Sequence, residues 1–140
     1  MALFNRQPKS VLPSNAATLL ADWGRREFDR TAQPEIREDT NEFIGSIEYR
    51  HVPEESRPQL IQEIREVGLR EGGWTVYGAW DVLIAFLDPV PPEILDELSE
   101  ARVRFLLSLD HPNIGYHLNS FDFIMLERID PDAYERLSPV

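Results

Sequence analysis

The sequence predicts an α+β fold: a ferredoxin-like βαββαβ antiparallel sheet with two packing helices, preceded by an extra N-terminal helix. The stretch 72–88 is the most apolar part of the chain, and it contains six consecutive apolar residues from Val82 to Leu87. A run of that length is typical of a strand buried on both faces. Amphipathic helical patterns flank this stretch, and segments 41–51 and 116–129 alternate apolar and polar residues as strands do.

The N-terminal region is predicted to be a flexible arm over residues 1–13, followed by a single domain over residues 14–140. Ser14 is a candidate cap for a helix over residues 14–29, because Leu20 and Trp23 fall on one apolar stripe of that segment. Residues 31–40 combine proline with alternating charges and little apolar content, which predicts a linker before the sheet-and-helix core at 41–130.

The first half of this core is predicted to be a strand and a helix. In the segment 41–51, Phe43 and Ile47 point to one face with period two, and Ile44 is the exception. Ser56 and Gln59 then have the spacing of a capping box. The helix that follows is expected to stop at Gly72.

The second half is predicted to be two strands, a helix and a last strand. Gly78-Ala79 suits a two-residue hairpin turn between strands 74–77 and 80–87, and one long strand is the alternative. A helix is expected after Pro92 with its buried stripe running from Ile94 to Leu109. The strand at 116–129 then closes the domain at Asp130-Pro131.

Composition narrows the possible functions. The 140 residues suffice for one domain, and 25 acidic against 14 basic residues give a formal net charge of −11. A negative field of this size repels nucleic acid and attracts a basic partner. The chain has no cysteine, which suits a reducing cytoplasm, and it has no apolar run long enough to span a bilayer. We therefore predict a cytoplasmic protein that binds neither nucleic acid nor membrane.

Motifs for catalysis and cofactor binding are absent from the sequence. It contains no phosphate-binding glycine loop, no H-E-x-x-H and no G-x-S-x-G. Asp110, His111 and His117 are the best candidate metal ligands, but an aspartate and histidine at a helix C-terminus explain the pattern better. The sequence therefore predicts neither a metal nor another cofactor.

Six residues form the candidate ligand or interface site: Trp74, Tyr77, Trp80, Trp23, Asp81 and Asp122. Adjacent strand positions point to opposite faces, so the rings of the central stretch cannot all enter one core, and an aromatic sheet face results. Asp81 and Asp122 each follow an aromatic residue, and a faint repeat, with Asp88-Pro89 matching Asp130-Pro131, would relate them by a pseudo-twofold axis. Two such carboxylates at close range share a proton, which is the basis for an acid-base alternative.

Three functional interpretations follow from this reading. The first is a non-enzymatic interaction protein that binds a protein partner or itself, most simply as a homodimer. The second is a regulatory domain that binds a small ligand on the aromatic sheet face. The third is a metal- or carboxylate-dependent enzyme.

Overall fold

The structure is a computed structural model that describes residues 12–30, 35–48 and 52–138. These ranges contain seven α-helices and no strand. The helices are α1 (Ala16–Phe28), α2 (Glu38–Glu48), α3 (Arg57–Glu71), α4 (Gly73–Phe86), α5 (Pro92–Ser108), α6 (Ser120–Ile129) and α7 (Pro131–Leu137). Short 3₁₀ turns lie at Glu54–Ser56 and Ile114–His117.

The predicted α+β ferredoxin-like fold is wrong, because the segments predicted as strands are helical. Segment 41–51 belongs largely to α2, segments 74–77 and 80–87 lie almost entirely in α4, and most of segment 116–129 belongs to α6. Gly78-Ala79 lies in the middle of α4 and forms no hairpin. The three segments predicted as helices are helical, as α1, α3 and α5.

Some predicted boundaries and caps also differ. Asn15, rather than Ser14, precedes α1, and the Ser56 side chain makes no capping hydrogen bond to α3. The predicted linker at 31–40 overlaps α2, which begins at residue 38, and residues 31–34 lie outside the described ranges. So do residues 1–11 of the predicted arm and residues 49–51 of the first predicted strand.

Helix α4 is the centre of the molecule. It packs against α1, α3 and α5, and its buried residues point in all directions around the helix axis rather than along one stripe: Thr75, Val76, Tyr77, Gly78, Ala79, Trp80, Val82 and Leu83. A helix covered on every side needs no polar face, so its sequence lacks the 3.6-residue period by which an amphipathic helix is recognised. Gly72, with φ +65°, ends α3 and precedes α4, as its type and position predict.

Helices α1 and α4 approach each other at two glycines. A Cβ atom at Gly78 would overlap the carbonyl oxygen of Leu20, and one at Gly24 would lie 2.6 Å from the carbonyl oxygen of Trp74. Only glycine permits backbones to pack at this separation. The pair therefore fixes α1 directly on the backbone of α4.

The C-terminal helices begin at well-defined caps. The Asn119 side chain accepts a hydrogen bond from the backbone N–H of Asp122, and the Asp122 side chain accepts one from the N–H of Asn119. This reciprocal capping box starts α6. Asp130 caps α7 through the N–H of Ala133, and Pro131 occupies its first position.

The apolar interior consists of two clusters that share helices. The larger cluster takes Ile94 and Leu98 from α5 together with most of the buried side chains of α1 to α4. The smaller takes Val103 and Leu106 from α5, Tyr77 from α4, and the buried side chains of α6 and α7. Among the described helices, none has the length and hydropathy required to cross a membrane.

Candidate functional site

Arg102 contacts three of the six predicted site residues, Asp122, Tyr77 and Trp80. It lies on α5 with 3% of its side chain exposed, and it donates to both carboxylate oxygens of Asp122, at 2.9 and 3.2 Å. Its guanidinium carbon lies 4.1 Å from the Tyr77 ring centroid and 4.4 Å from that of Trp80. The buried cation is therefore stabilised by one carboxylate and two aromatic rings.

The carboxylate of Asp122 is occupied by contacts within the protein. The residue is fully buried, and its carboxylate accepts hydrogen bonds from Arg102 and from the backbone N–H of Asn119. Both carboxylate oxygens are therefore engaged within the protein and are not presented to a ligand. Asp122 thus joins α5 to the start of α6.

Asp81 has a different environment. Its carboxylate accepts a 2.8 Å hydrogen bond from the indole N–H of Trp23. Burial raises the pKa of Asp81, the nearby negative charge of Glu27 adds to this, and the Trp23 hydrogen bond acts in the opposite direction. Because Asp81 and Asp122 have separate partners, the proton-sharing pair considered from the sequence does not form.

The raised pKa of Asp81 predicts how stability changes with pH. The folded state binds the Asp81 proton more tightly than the unfolded state, so the ionised carboxylate costs stability above its folded pKa. This cost disappears as pH falls below the unfolded value. Asp81→Asn, which keeps an oxygen for the Trp23 indole, is expected to be more stable than wild type at neutral pH, with the difference shrinking on acidification.

Urea denaturation between about pH 8 and pH 3 measures this difference. Asp110→Asn is the control, because it removes one negative charge from an exposed position and so reports the effect of net charge alone. If Asp81→Asn gained the same stability as the control at every pH, the raised pKa of Asp81 would be contradicted.

The predicted aromatic sheet face does not exist, because there is no sheet in the described part of the chain and the rings are packed between helices. Tyr77 and Trp80 are buried, and the Trp80 indole donates to the Ser99 hydroxyl at 2.9 Å. Trp74 is half-buried, with its ring centroid 5.1 Å from that of Phe28 and 4.9 Å from that of Phe105. These rings form the interior of the helical fold.

His111 and His117 lie on the loop between α5 and α6 and pack on α1. The His117 ring stacks on Phe28 with centroids 4.0 Å apart, and the His111 ring contacts the same phenylalanine edge-on at 5.6 Å. Nδ1 of His111 accepts from the backbone N–H of Asn113. Within residues 12–30, 35–48 and 52–138, no three histidine or carboxylate side chains are grouped to hold a metal ion. The loop is thus anchored to α1 by its two imidazoles.

The same loop forms one wall of a surface groove, which we call the C-terminal groove. The groove has a volume of about 590 Å³ and is lined by Pro112, Asn113, Gly115, Tyr116, Leu118, Phe123, Arg136, Leu137 and Ser138. Tyr116 is 90% exposed at its rim. Sequence reasoning missed this site because Tyr116 was placed at the start of a strand, where its ring would have joined the sheet.

Comparison of this chain with family models, curated proteins and solved structures gives no match.

Proposed function

We propose that this protein is a non-catalytic, acidic binding module that holds a protein partner of positive net charge at the C-terminal groove. The observation that carries the proposal is Tyr116, a large aromatic side chain left 90% exposed beside an apolar groove. Tyrosine is among the residues most enriched at the energetic centres of protein interfaces. Its ring supplies contact area and its hydroxyl remains available for a hydrogen bond.

The chemistry of the buried residues supports binding over catalysis. The carboxylate of Asp122 is paired with Arg102, and that of Asp81 accepts a hydrogen bond from the indole of Trp23. Neither of them lines the C-terminal groove. A site for a chemical step needs a reactive group that reaches the substrate, and the groove offers contact surface instead.

The charge of the protein supports a partner other than a second copy. Two copies would each bring a formal charge of −11 to their contact, and this repulsion opposes a homodimer. The aromatic sheet face that favoured a homodimer is absent from the described structure, since its rings are interior. A basic partner gains from the same field through faster association. The absence of cysteine suits a cytoplasmic location for such a complex.

Capture from a lysate of the source cells tests the proposal. The immobilised full chain is expected to retain a protein of basic isoelectric point, and Tyr116→Ser should lower its retention about tenfold or more. Ile124→Ser is the matched control, because Ile124 is 57% exposed on α6 and does not line the groove. Retention should also weaken as salt is raised, since screening removes the long-range attraction.

Two results would overturn the proposal. One is a retained partner whose level is the same for wild type and Tyr116→Ser. The other is the absence of any specifically retained basic protein from the wild-type chain.

A further inference from the structure

We propose that the C-terminal groove binds the C-terminal residue of its partner, with the α-carboxylate paired to Arg136 and the apolar side chain packed on Leu118, Phe123 and Leu137. This inference rests on the proposed function and names the part of the partner that the groove recognises. Two features of the groove lining support it: Arg136 is its single charged residue, and Leu118, Phe123 and Leu137 give it an apolar surface.

The lining has an unusual charge pattern for this protein. The chain has 25 acidic residues, yet none of them is among the nine residues that line the groove, and Arg136 is their single charged member. Seven other arginines form ion pairs with acidic side chains. Arg136 forms none within the ranges described. An exposed, unpaired guanidinium beside an apolar surface is suited to a carboxylate, which it binds through two parallel hydrogen bonds.

The other polar groups of the lining complement this assignment. Asn113 carries an amide with two N–H donors, and Ser138 and Tyr116 carry hydroxyls. A bidentate guanidinium fills two of the roughly four lone-pair sites of a carboxylate, so the others remain for these donors. The groove therefore combines a cation and neutral donors with an apolar surface.

A chain terminus fits these features better than a free small molecule or an internal acidic residue. A small ligand needs a pocket that encloses most of its surface, whereas the rim of this groove is so open that Tyr116 is 90% exposed. In a C-terminal residue the carboxylate and the side chain are attached to one Cα, so a single residue reaches both Arg136 and the apolar floor. Capture of a terminal carboxylate is an established mode of peptide recognition.

The experiment uses N-acetyl-leucine as the probe for a C-terminal leucine and N-acetyl-leucinamide as its uncharged match. Each is titrated into the full-length protein, and backbone amide NMR shifts are followed. The acid is expected to shift the signals of Gly115, Tyr116 and Leu137, with an affinity at least about fivefold above that of the amide, which corresponds to about 1 kcal/mol. N-acetyl-serine, which keeps the carboxylate but lacks the apolar side chain, should bind more weakly than N-acetyl-leucine.

Arg136→Gln isolates the ion pair. It should lower the affinity for the acid to that for the amide and leave the affinity for the amide unchanged. Arg70→Gln is the control for loss of one positive charge, since Arg70 lies on α3 with 66% of its side chain exposed and does not line the groove. It should leave the preference for the acid intact.

Equal shifts from acid and amide, no shift in the groove at about 10 mM acid, or an acid preference that survives Arg136→Gln would each overturn the inference. A failure of this inference can be distinguished from a failure of the proposed function. If Tyr116→Ser abolishes partner capture while the acid shows no preference, the binding module stands and only the terminal-carboxylate assignment falls.

Discussion

Gly78→Ala is expected to lower the free energy of unfolding by about 3 kcal/mol or more, a large effect for one added methyl group. The added Cβ would overlap the carbonyl oxygen of Leu20 on α1. That atom belongs to the helix backbone, so the clash is relieved only by moving α1 away from α4. Alanine is the better helix former by about 1 kcal/mol, so the measured loss understates the cost of the steric clash.

Gly115→Ala is the matched control for this variant, because the nearest atom to its added Cβ is the Leu137 carbonyl oxygen at 3.4 Å. It should change stability by less than about 1 kcal/mol, as surface substitutions usually do. Urea denaturation of both variants measures the difference. Equal and small losses would show that α1 and α4 do not touch at Gly78.

Arg102→Met is expected to lower the free energy of unfolding by about 3–5 kcal/mol, because it leaves the carboxylate of Asp122 buried without its cation. Asp122 is fully buried, and no water replaces the two hydrogen bonds that Arg102 gives it without opening the interface of α5 and α6. The variant also removes the cation from between the Tyr77 and Trp80 rings.

The double variant Arg102→Met/Asp122→Asn tests this explanation. Asparagine keeps a side-chain oxygen that can accept from the N–H of Asn119, so the α6 cap is preserved while the buried charge is removed. We expect the double variant to recover at least about half of the loss seen with Arg102→Met alone. A double variant as unstable as the sum of the two single variants would show that burial of an unpaired charge is not the cause.

The helices predicted correctly and those predicted wrongly differ in how they are buried. α1, α3 and α5 each keep a solvent-exposed side, so their apolar residues recur with a helical period. α4 has no such side over its central turns, and a short apolar run that is buried all round cannot be distinguished from a strand by periodicity. Gly78, predicted as the first residue of a hairpin turn, serves close packing against α1 instead.

In α2 and α6 the helical signals were present but were outweighed by apparent alternation. Ile44, the exception to period two in the predicted strand, falls on the buried stripe of α2 with Thr40, Phe43 and Ile47. Before α6, Asn119 and Asp122 have the spacing of a capping box. This capping box is a signal for the start of a helix, and the apparent alternation over 116–129 obscured it.

Three of the six candidate residues, Tyr77, Trp80 and Asp122, contact Arg102, which was not itself among the candidates. A cation in the second half of a helix is explained by the helix dipole alone, so nothing local marks Arg102 as buried. Its burial depends on Asp122, 20 positions further on, and no local pattern predicts that contact. The C-terminal groove was missed for a related reason, since it forms only when α7 folds back onto the loop that carries Tyr116.

Helices α4 and α5 contribute side chains to both apolar clusters, so we expect that neither cluster of the described residues forms without the other. A fragment ending before α6 would uncover Val103 and Leu106 on the helix whose first half supports the larger cluster. Loss of α1 would expose the glycine-lined backbone of α4 and, through Tyr77, the smaller cluster as well. We therefore expect opening at either end to propagate along these two helices, and amide protons in the middle of α4 to exchange with solvent only when the whole domain unfolds.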